Sequence, residues 1–316
     1  MKYVSHYEEG SQIVRITDTV SNTTKEYSIS SAVELAEGSD EEIRGVNTAL
    51  GTVRDFSEAL AVESMRIRDK VLGKVFDYGY TEDWFLYPIF HVENLTSELI
   101  VPDWAEILSE SSFRGSNSVV EKVVIGKNLI DIQSMCFKGF SRLKTVELNS
   151  KLALIGKQAF YGTDIVDICL PDTLEYIGSS AFTMCRSLKS VKFPNNLSEI
   201  GSSVFNGCSK MESLVLSENL MELPEKSFNG CASLRSVTIP GRCETIGESA
   251  FCNCDGMKEL IIENGCTYIE SCAFQGCDAI ERITIPASVK EIALDAFSGA
   301  SEIAYTAYKV WRDSGV

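Results

Sequence analysis

The sequence predicts an N-terminal α+β domain followed by a solenoid of stacked repeats that carries a parallel β-sheet on one face. Three observations predict this architecture. Phenylalanine recurs every 22 to 24 residues between Phe113 and Phe297. Apolar residues follow it in phase, six, nine and eleven positions later. The first 94 residues lie outside this period and read instead as short strands and helices.

Each repeat has a physical explanation. In most repeats the residues nine and eleven positions after the Phe are apolar and alternate in and out with period 2, which is typical of a short strand with one buried face. Pro194, Pro240 and Pro286 then end the strand, because proline cannot donate to a β-ladder. One repeat cannot bury its apolar face alone, so we expect each Phe to stack on its equivalent in the next repeat. The phenylalanines are Phe113, Phe137, Phe160, Phe182, Phe205, Phe228, Phe251, Phe274 and Phe297.

The stretch IGSSAFTMCRSLKSVKFPNNL, from Ile177 to Leu197, carries a family resemblance. It resembles the BspA-like leucine-rich repeat, the 23-residue kind found mainly in bacterial proteins, many of them on cell surfaces. The resemblance covers about residues 95–316, in about nine repeats, and LIVP at 99–102 fits a degenerate first repeat. It implies a scaffold for protein interactions and no catalytic activity.

The N-terminal domain, residues 1–94, belongs to no family that the sequence reveals. KYVSHY, SQIVRITDT and TKEYSIS alternate apolar and polar residues and predict a three-stranded antiparallel meander. Helical spacing of apolar residues then predicts either one helix or two, at about 41–54 and 57–76. The same spacing is compatible with a coiled-coil seam and a homodimer through this domain, but Ser57 and Ser64 interrupt it, which favours packing onto the meander.

The eleven cysteines do not read as a disulfide framework. Five of them occupy one repeat position, three residues after the Phe, and Cys243 and Cys266 stand where other repeats have Leu. We therefore predict free thiols that pack as small apolar side chains. The cluster Cys252, Cys254, Cys272 and Cys277 follows the repeat period and lacks a nearby His, so no metal site is predicted. The five equivalent cysteines are Cys185, Cys208, Cys231, Cys254 and Cys277.

The net charge is −16, of which residues 1–94 carry −8 and residues 95–316 carry −8. No basic stripe is present, which argues against nucleic acid as a partner and favours a protein with a basic surface. The N-terminus lacks the apolar core of a signal peptide, and the longest apolar run is too short to span a bilayer. The sequence as read predicts no membrane insertion and a cytoplasmic location, or the cell surface if a leader has been removed.

No catalytic motif is recognisable. The two histidines, His6 and His91, lie 85 residues apart, and the nucleophile-elbow, zinc-protease, P-loop and dinucleotide signatures are missing. We therefore predict no enzyme activity, no catalytic residues and no cofactor.

The candidate binding surface is the outward face of the predicted sheet. Residues eight and ten positions after each Phe point away from the core, and the column is mainly short and polar, which suits close approach of a protein partner. We predict a non-catalytic interaction scaffold that uses this face; the alternative is an exported bacterial surface adhesion protein that binds host or matrix protein. The predicted partner-binding residues are Thr145, Glu147, Ser190, Lys192, Ser213, Val215, Ser236, Thr238, Glu259, Ile261, Arg282 and Thr284.

The repeat decays after Phe297, and the last turn of a solenoid must be covered. We expect residues 304–316 to form a C-terminal cap. Within it, a short helix near 306–313 is predicted to place Tyr305, Tyr308 and Trp311 over the open core.

Overall fold

The computed structural model describes the strands at 3–7, 13–18, 23–28, 65–69, 74–80 and 86–91, and residues 97–314 apart from 102, 104 and 115–118. The first three strands, β1 (Tyr3–Tyr7), β2 (Ile13–Asp18) and β3 (Thr23–Ser28), form an antiparallel sheet in chain order. This confirms the predicted meander.

The next part of the N-terminal region is a second sheet. β4 (Met65–Asp69), β5 (Lys74–Tyr80) and β6 (Leu86–His91) pair antiparallel in chain order. The predicted helix at 57–76 is therefore wrong over 65–69 and 74–76. Aromatic residues at alternate positions of β5 favour a strand, and pairing with β6 outweighs the helical spacing before it. The predicted helix at 41–54 lies outside the described residues.

The remainder is the predicted solenoid. Its strands stack in register, with one repeat pairing parallel to the next, as in Val191 opposite Leu214. The outward-facing sheet consists of β7 (Glu98–Ile100), β10 (Lys122–Val124), β12 (Thr145–Glu147), β14 (Asp167–Ile168), β16 (Ser190–Lys192) and β18 (Ser213–Val215), followed by a separate group of β20 (Ser236–Ile239), β22 (Glu259–Ile262) and β24 (Arg282–Thr284). β7 confirms the degenerate first repeat.

A second ladder of two-residue strands lines another side of the core. It consists of β8 (Ile107–Leu108), β11 (Asp131–Ile132), β13 (Leu154–Ile155), β15 (Tyr176–Ile177) and β17 (Glu199–Ile200), and then of β19 (Glu222–Leu223), β21 (Thr245–Ile246), β23 (Tyr268–Ile269) and β25 (Glu291–Ile292). The second residue of each of these strands is buried.

Both ladders break at the same repeat boundary, between β17 and β19 and between β18 and β20. In most other repeats a backbone N–H after the second-ladder strand donates to the preceding repeat; Gly201 N, for example, lies 2.7 Å from Ile177 O. Pro224 occupies that position at the break and has no N–H to donate to Ile200. On the side of the Phe turns the bonding continues, with Phe205 N donating to Ser227 O at 2.8 Å. We call this boundary the ladder break.

The core is the predicted phenylalanine ladder. From Phe137 to Phe297 successive rings stack with centroids 5.0 to 5.6 Å apart, and the widest step, Phe205 to Phe228, crosses the ladder break. All eight rings are essentially inaccessible to solvent. They are framework residues, as predicted, and offer no aromatic binding surface.

The five equivalent cysteines are buried and donate hydrogen bonds as well as packing. Cys208 Sγ lies 3.2 Å from Phe182 O, one repeat earlier, and Cys254 Sγ lies 3.3 Å from Phe228 O. All eleven cysteines of the chain are free thiols in the structure. Burial raises the pKa of the Cys231 thiol to about 12, so these groups stay protonated.

The C-terminal helix α1 (Glu302–Asp313) begins one turn earlier than predicted, with Ser301 as its N-cap. Tyr308 is buried, and the Trp311 indole Nε1 donates to Val289 O at 3.1 Å. Tyr305, however, is 42% exposed, so its predicted place over the core is wrong. Ala304 takes that place because residues 304, 308 and 311 form one stripe of the helix at spacings of four and three, whereas Tyr305 lies about 100° around the helix from Ala304.

The N-terminal region joins the solenoid through its backbone. β6 pairs in parallel with β9 (Phe113–Arg114), which begins with the first Phe of the period, so Phe90 lies opposite Phe113. The division at residue 94 into two domains remains a proposal, because this pairing runs across it.

Candidate interaction surface

The sheet face is built by strict alternation in each three- or four-residue strand. Val191 is 2% exposed, whereas Ser190 and Lys192 on either side of it point into solvent. All twelve predicted binding residues lie on this one face. Ten of them are exposed, and Glu259 and Ile261 are half-buried. The sequence therefore predicted their orientation, and their role in binding stays a proposal.

Most charged side chains of the sheet face form ion pairs with one another. Lys122 Nζ lies 3.1 Å from Glu98 and 2.9 Å from Glu147, while Arg282 Nε lies 2.9 Å from Glu259. These side chains are exposed or half-buried, so each pair contributes little to stability. With four carboxylates and three cationic side chains, the face is almost neutral. Its charged residues are Glu98, Lys122, Glu147, Asp167, Lys192, Glu259 and Arg282.

A groove of about 1020 Å³ lies at the C-terminal end of the sheet face, between β22 and β24 on one side and α1 on the other. On the sheet side it is lined by Ile261, Ile283 and Arg282, two of which are predicted binding residues. On the helix side Ile303 and Val310 are 52% and 67% exposed. We call this feature the helix groove.

Sequence reasoning missed the helix side of this groove. A signal for it exists: Ile303 and Val310 are seven residues apart, two helical turns, and lie on a different face from the buried pair Ala304 and Tyr308. A helix that is apolar on two faces has one face for the core and a second one available for another contact.

The negative charge of the solenoid concentrates on the second ladder, on the residue before each of its strands and on the turn that follows each strand. In that part of the nine repeats there are twelve carboxylates and three lysines. The Lys226 ammonium pairs with Glu225. We call this surface the acidic strip; its carboxylates are Glu106, Glu110, Asp131, Glu175, Glu199, Glu222, Glu225, Glu244, Glu248, Glu270, Glu291 and Asp295, and its lysines are Lys157, Lys226 and Lys290.

Neither surface resembles a metal or catalytic centre. Among the described residues, no three His, Cys, Asp or Glu side chains converge as metal ligands. The cysteines of the Cys252 to Cys277 cluster instead make local bonds, and Cys272 Sγ lies 3.5 Å from Asp295 Oδ2. The part of the chain that the structure describes also has no helix long and apolar enough to cross a bilayer.

Comparison with protein families gives a direct match to this architecture. Six copies of the BspA type leucine-rich repeat region match the chain over residues 106–235 and 177–304. The chain belongs to the BspA-type leucine-rich repeat family. Its members are repeat scaffolds, and this family accounts for the stacked turns, the parallel ladders and the phenylalanine core. No curated protein is significantly similar to this BspA-type chain.

Three solved structures are similar to this chain. A leucine-rich repeat protein of T. pallidum is 22% identical, with a TM-score of 0.51, over 75% of this chain and 92% of its own. One from Bacteroides ovatus is 17% identical, with a TM-score of 0.46, over 71% and 90%. A leucine rich cell surface protein of Faecalibacterium prausnitzii is 18% identical, with a TM-score of 0.37, over 69% and 97%. At these identities the likeness to the T. pallidum protein concerns the fold alone.

Proposed function

We propose that this BspA-type chain is a non-catalytic interaction protein that binds a protein partner on its sheet face, centred on the helix groove. The observation that supports this most is the position of the groove. It brings exposed apolar side chains of the helix and half-buried apolar side chains of the sheet together with Arg282, and binding energy concentrates where apolar and arginine side chains share a concave site.

The occupant that fits is a polypeptide segment with apolar side chains. The groove walls come from Ile261 and Ile283 on the sheet and from Val310 and Trp311 on the helix, which favours apolar contacts. Arg282 is already oriented by Glu259, so it can donate to a partner's carbonyl without first losing rotamer freedom. A near-neutral sheet face adds no strong repulsion to either sign of charge.

The first step of the test identifies the partner by its place of contact. A photo-crosslinking amino acid at Thr238, which is exposed on the sheet face, should capture one partner, and the same amino acid at exposed Lys309, on the helix surface, should not. The captured protein then serves as the ligand for affinity measurements with purified chain.

The second step uses the double variant Ile261→Ser with Arg282→Ser. Both residues lie on the sheet face, so the fold should persist, while the dissociation constant should rise at least about thirtyfold, equivalent to about 2 kcal/mol. The matched control is Leu294→Ser with Arg186→Ser, an exposed apolar residue and an exposed arginine elsewhere. Equal affinity of the double variant and the wild type would show that the sheet face does not bind the partner.

A further inference from the structure

A hollow of about 480 Å³ lies on the acidic strip near the N-terminal end of the second ladder. Ser109, Glu110, Asp131, Leu154 and Tyr176 are among the residues that line it. The hollow is separate from the helix groove, with which it shares no lining residue. It combines two carboxylates and two hydroxyl groups with an aliphatic and an aromatic wall.

Asp131 is the unusual member of this set. Its neighbours in the ladder register are Ile107 and Leu154, both apolar. Its carboxylate makes no hydrogen bond or ion pair with any described residue. Burial raises the pKa of this carboxyl to about 6. A carboxylate that is partly withdrawn from water and has no partner costs folding free energy, which is a feature of binding sites.

Ser109 gives a second, independent indication of a ligand. The residue is 9% exposed and its Oγ is buried; the Ser112 backbone N–H faces this oxygen in a capping box, but no described group makes a hydrogen bond of normal geometry with it. Buried hydroxyl groups nearly always have a partner, so this one needs an explanation. Ser109 and Asp131 line the same hollow, so a donor bound at the Asp131 carboxylate would lie in the site that Ser109 also borders.

The chemistry of the lining selects the donor. A divalent cation needs several oxygen ligands, and no group of three acidic, histidine or cysteine side chains converges in the described part of the chain. A lysine or arginine side chain fits better, because its aliphatic stem can lie along Leu154 and Tyr176 while its charged end reaches the carboxylates.

The rest of the acidic strip indicates that the cation belongs to a polypeptide. The strip carries twelve carboxylates and three lysines over nine repeats, so its negative charge exceeds what its own lysines can balance. Glu199 and Glu222 occupy equivalent positions in adjacent repeats and are exposed, and neither pairs with a described cation. A single small cation would leave most of these charges unbalanced.

We propose that the acidic strip binds a basic polypeptide segment and that one lysine or arginine side chain of that segment occupies the hollow at Asp131. This surface is independent of the sheet face, and the chain therefore has two binding surfaces of different chemistry.

The test uses the full-length chain and a fluorescent peptide of eight lysines, with binding measured by anisotropy at several salt concentrations. Asp131→Asn should weaken binding at least tenfold, because it removes the charge and keeps the shape. The matched control is Asp167→Asn, an exposed carboxylate on the sheet face, which should leave the affinity unchanged. Glu199→Gln with Glu222→Gln should weaken binding and reduce its salt dependence.

Other measurements separate this proposal from its rivals. Equal losses of affinity in the Asp131 and Asp167 variants would overturn the proposed site, because the peptide would then respond only to the net charge of the protein. Competition by micromolar calcium would assign the hollow to a metal ion, and tight binding of spermidine at the same site would assign it to a small polyamine. Either result also overturns the proposal. The sheet-face variants should bind the peptide like wild type, so failure of one proposal leaves the other intact.

Discussion

Phe297, the last ring of the core ladder, stacks on Tyr308 of the C-terminal helix, with ring centroids 6.1 Å apart. The helix thus extends the ladder by one ring and covers the open end of the solenoid. Tyr308→Ala should lower the free energy of unfolding by at least about 2 kcal/mol, as a buried aromatic truncation. Urea titration measures this, and Tyr305→Ala, which removes an exposed ring of the same helix, is the control. Similar losses in both variants would contradict the assignment of Tyr308 to the core.

Deletion of residues 304–316 tests the cap as a whole. Without the helix, Phe297 and Val289 are exposed at the end of the last repeat, so we expect aggregation at concentrations where the full chain is monodisperse. Size-exclusion chromatography with light scattering measures this. A soluble deletion variant with an unchanged melting temperature would show that these residues do not protect the solenoid.

The middle of the phenylalanine ladder should be the most sensitive part of the core. Phe205→Ala or Phe228→Ala removes a ring that stacks on both sides and should cost about 3–5 kcal/mol. Val215→Ala, at a 48% exposed position in the same region, should cost under about 1 kcal/mol. Denaturant titration of the three variants checks the difference, and a loss below about 1 kcal/mol for the ring variants would place these rings outside the core.

The thiols should react according to burial. In the native state Cys169 is exposed and should react quickly with a thiol reagent, while the burial that raises the pKa of Cys277 to about 12 keeps that thiol unreactive. In denaturant without reductant, all eleven should titrate. A denatured count near one would mean that the cysteines form disulfides in the isolated protein.

The ionised form of Asp131 should destabilise the folded chain once the pH rises above the ordinary pKa of the carboxyl group. Its pKa is about 6 in the folded chain and near 3.8 when unfolded, so the folded state binds more protons between these values and stability falls as pH rises through them. Asp131→Asn should therefore raise the melting temperature above pH 6 and have little effect at pH 3.5. The neighbouring ionisable groups are Glu110, Cys136 and Tyr176, so Glu110→Gln is the control for their contribution. An equal gain at both pH values would show that charge burial is not the cause.

The period of the sequence predicted the solenoid because each repeat faces the same packing problem. Phe182 and Cys185 were assignable to the core from their phase alone. The helix groove was not predictable in this way, because one of its walls is α1, which is not part of the repeat pattern. The error at Tyr305 has the same origin: the spacing of three aromatic residues was visible, but the helix packs Ala304 inward. In the N-terminal region, pairing between β4 and β5 outweighed a local helical pattern.

The acidic strip shows a different limit of prediction from the sequence. Net charge was known from composition, and the basic partner predicted from it was assigned to the sheet face, where the residues point outward. Within the solenoid, the excess negative charge lies instead on the acidic strip. Only the stacking of the repeats places carboxylates that are distant in the sequence, such as Glu199 and Glu222, on one surface.

The ladder break at Pro224 has a mechanical consequence. Both strand ladders are interrupted there, while the Phe turns stay bonded across it and the sheet side keeps a backbone bond from Arg235 N to Glu212 O at 3.3 Å. Fewer backbone hydrogen bonds therefore join the two halves of the solenoid at this boundary than join the repeats on either side of it.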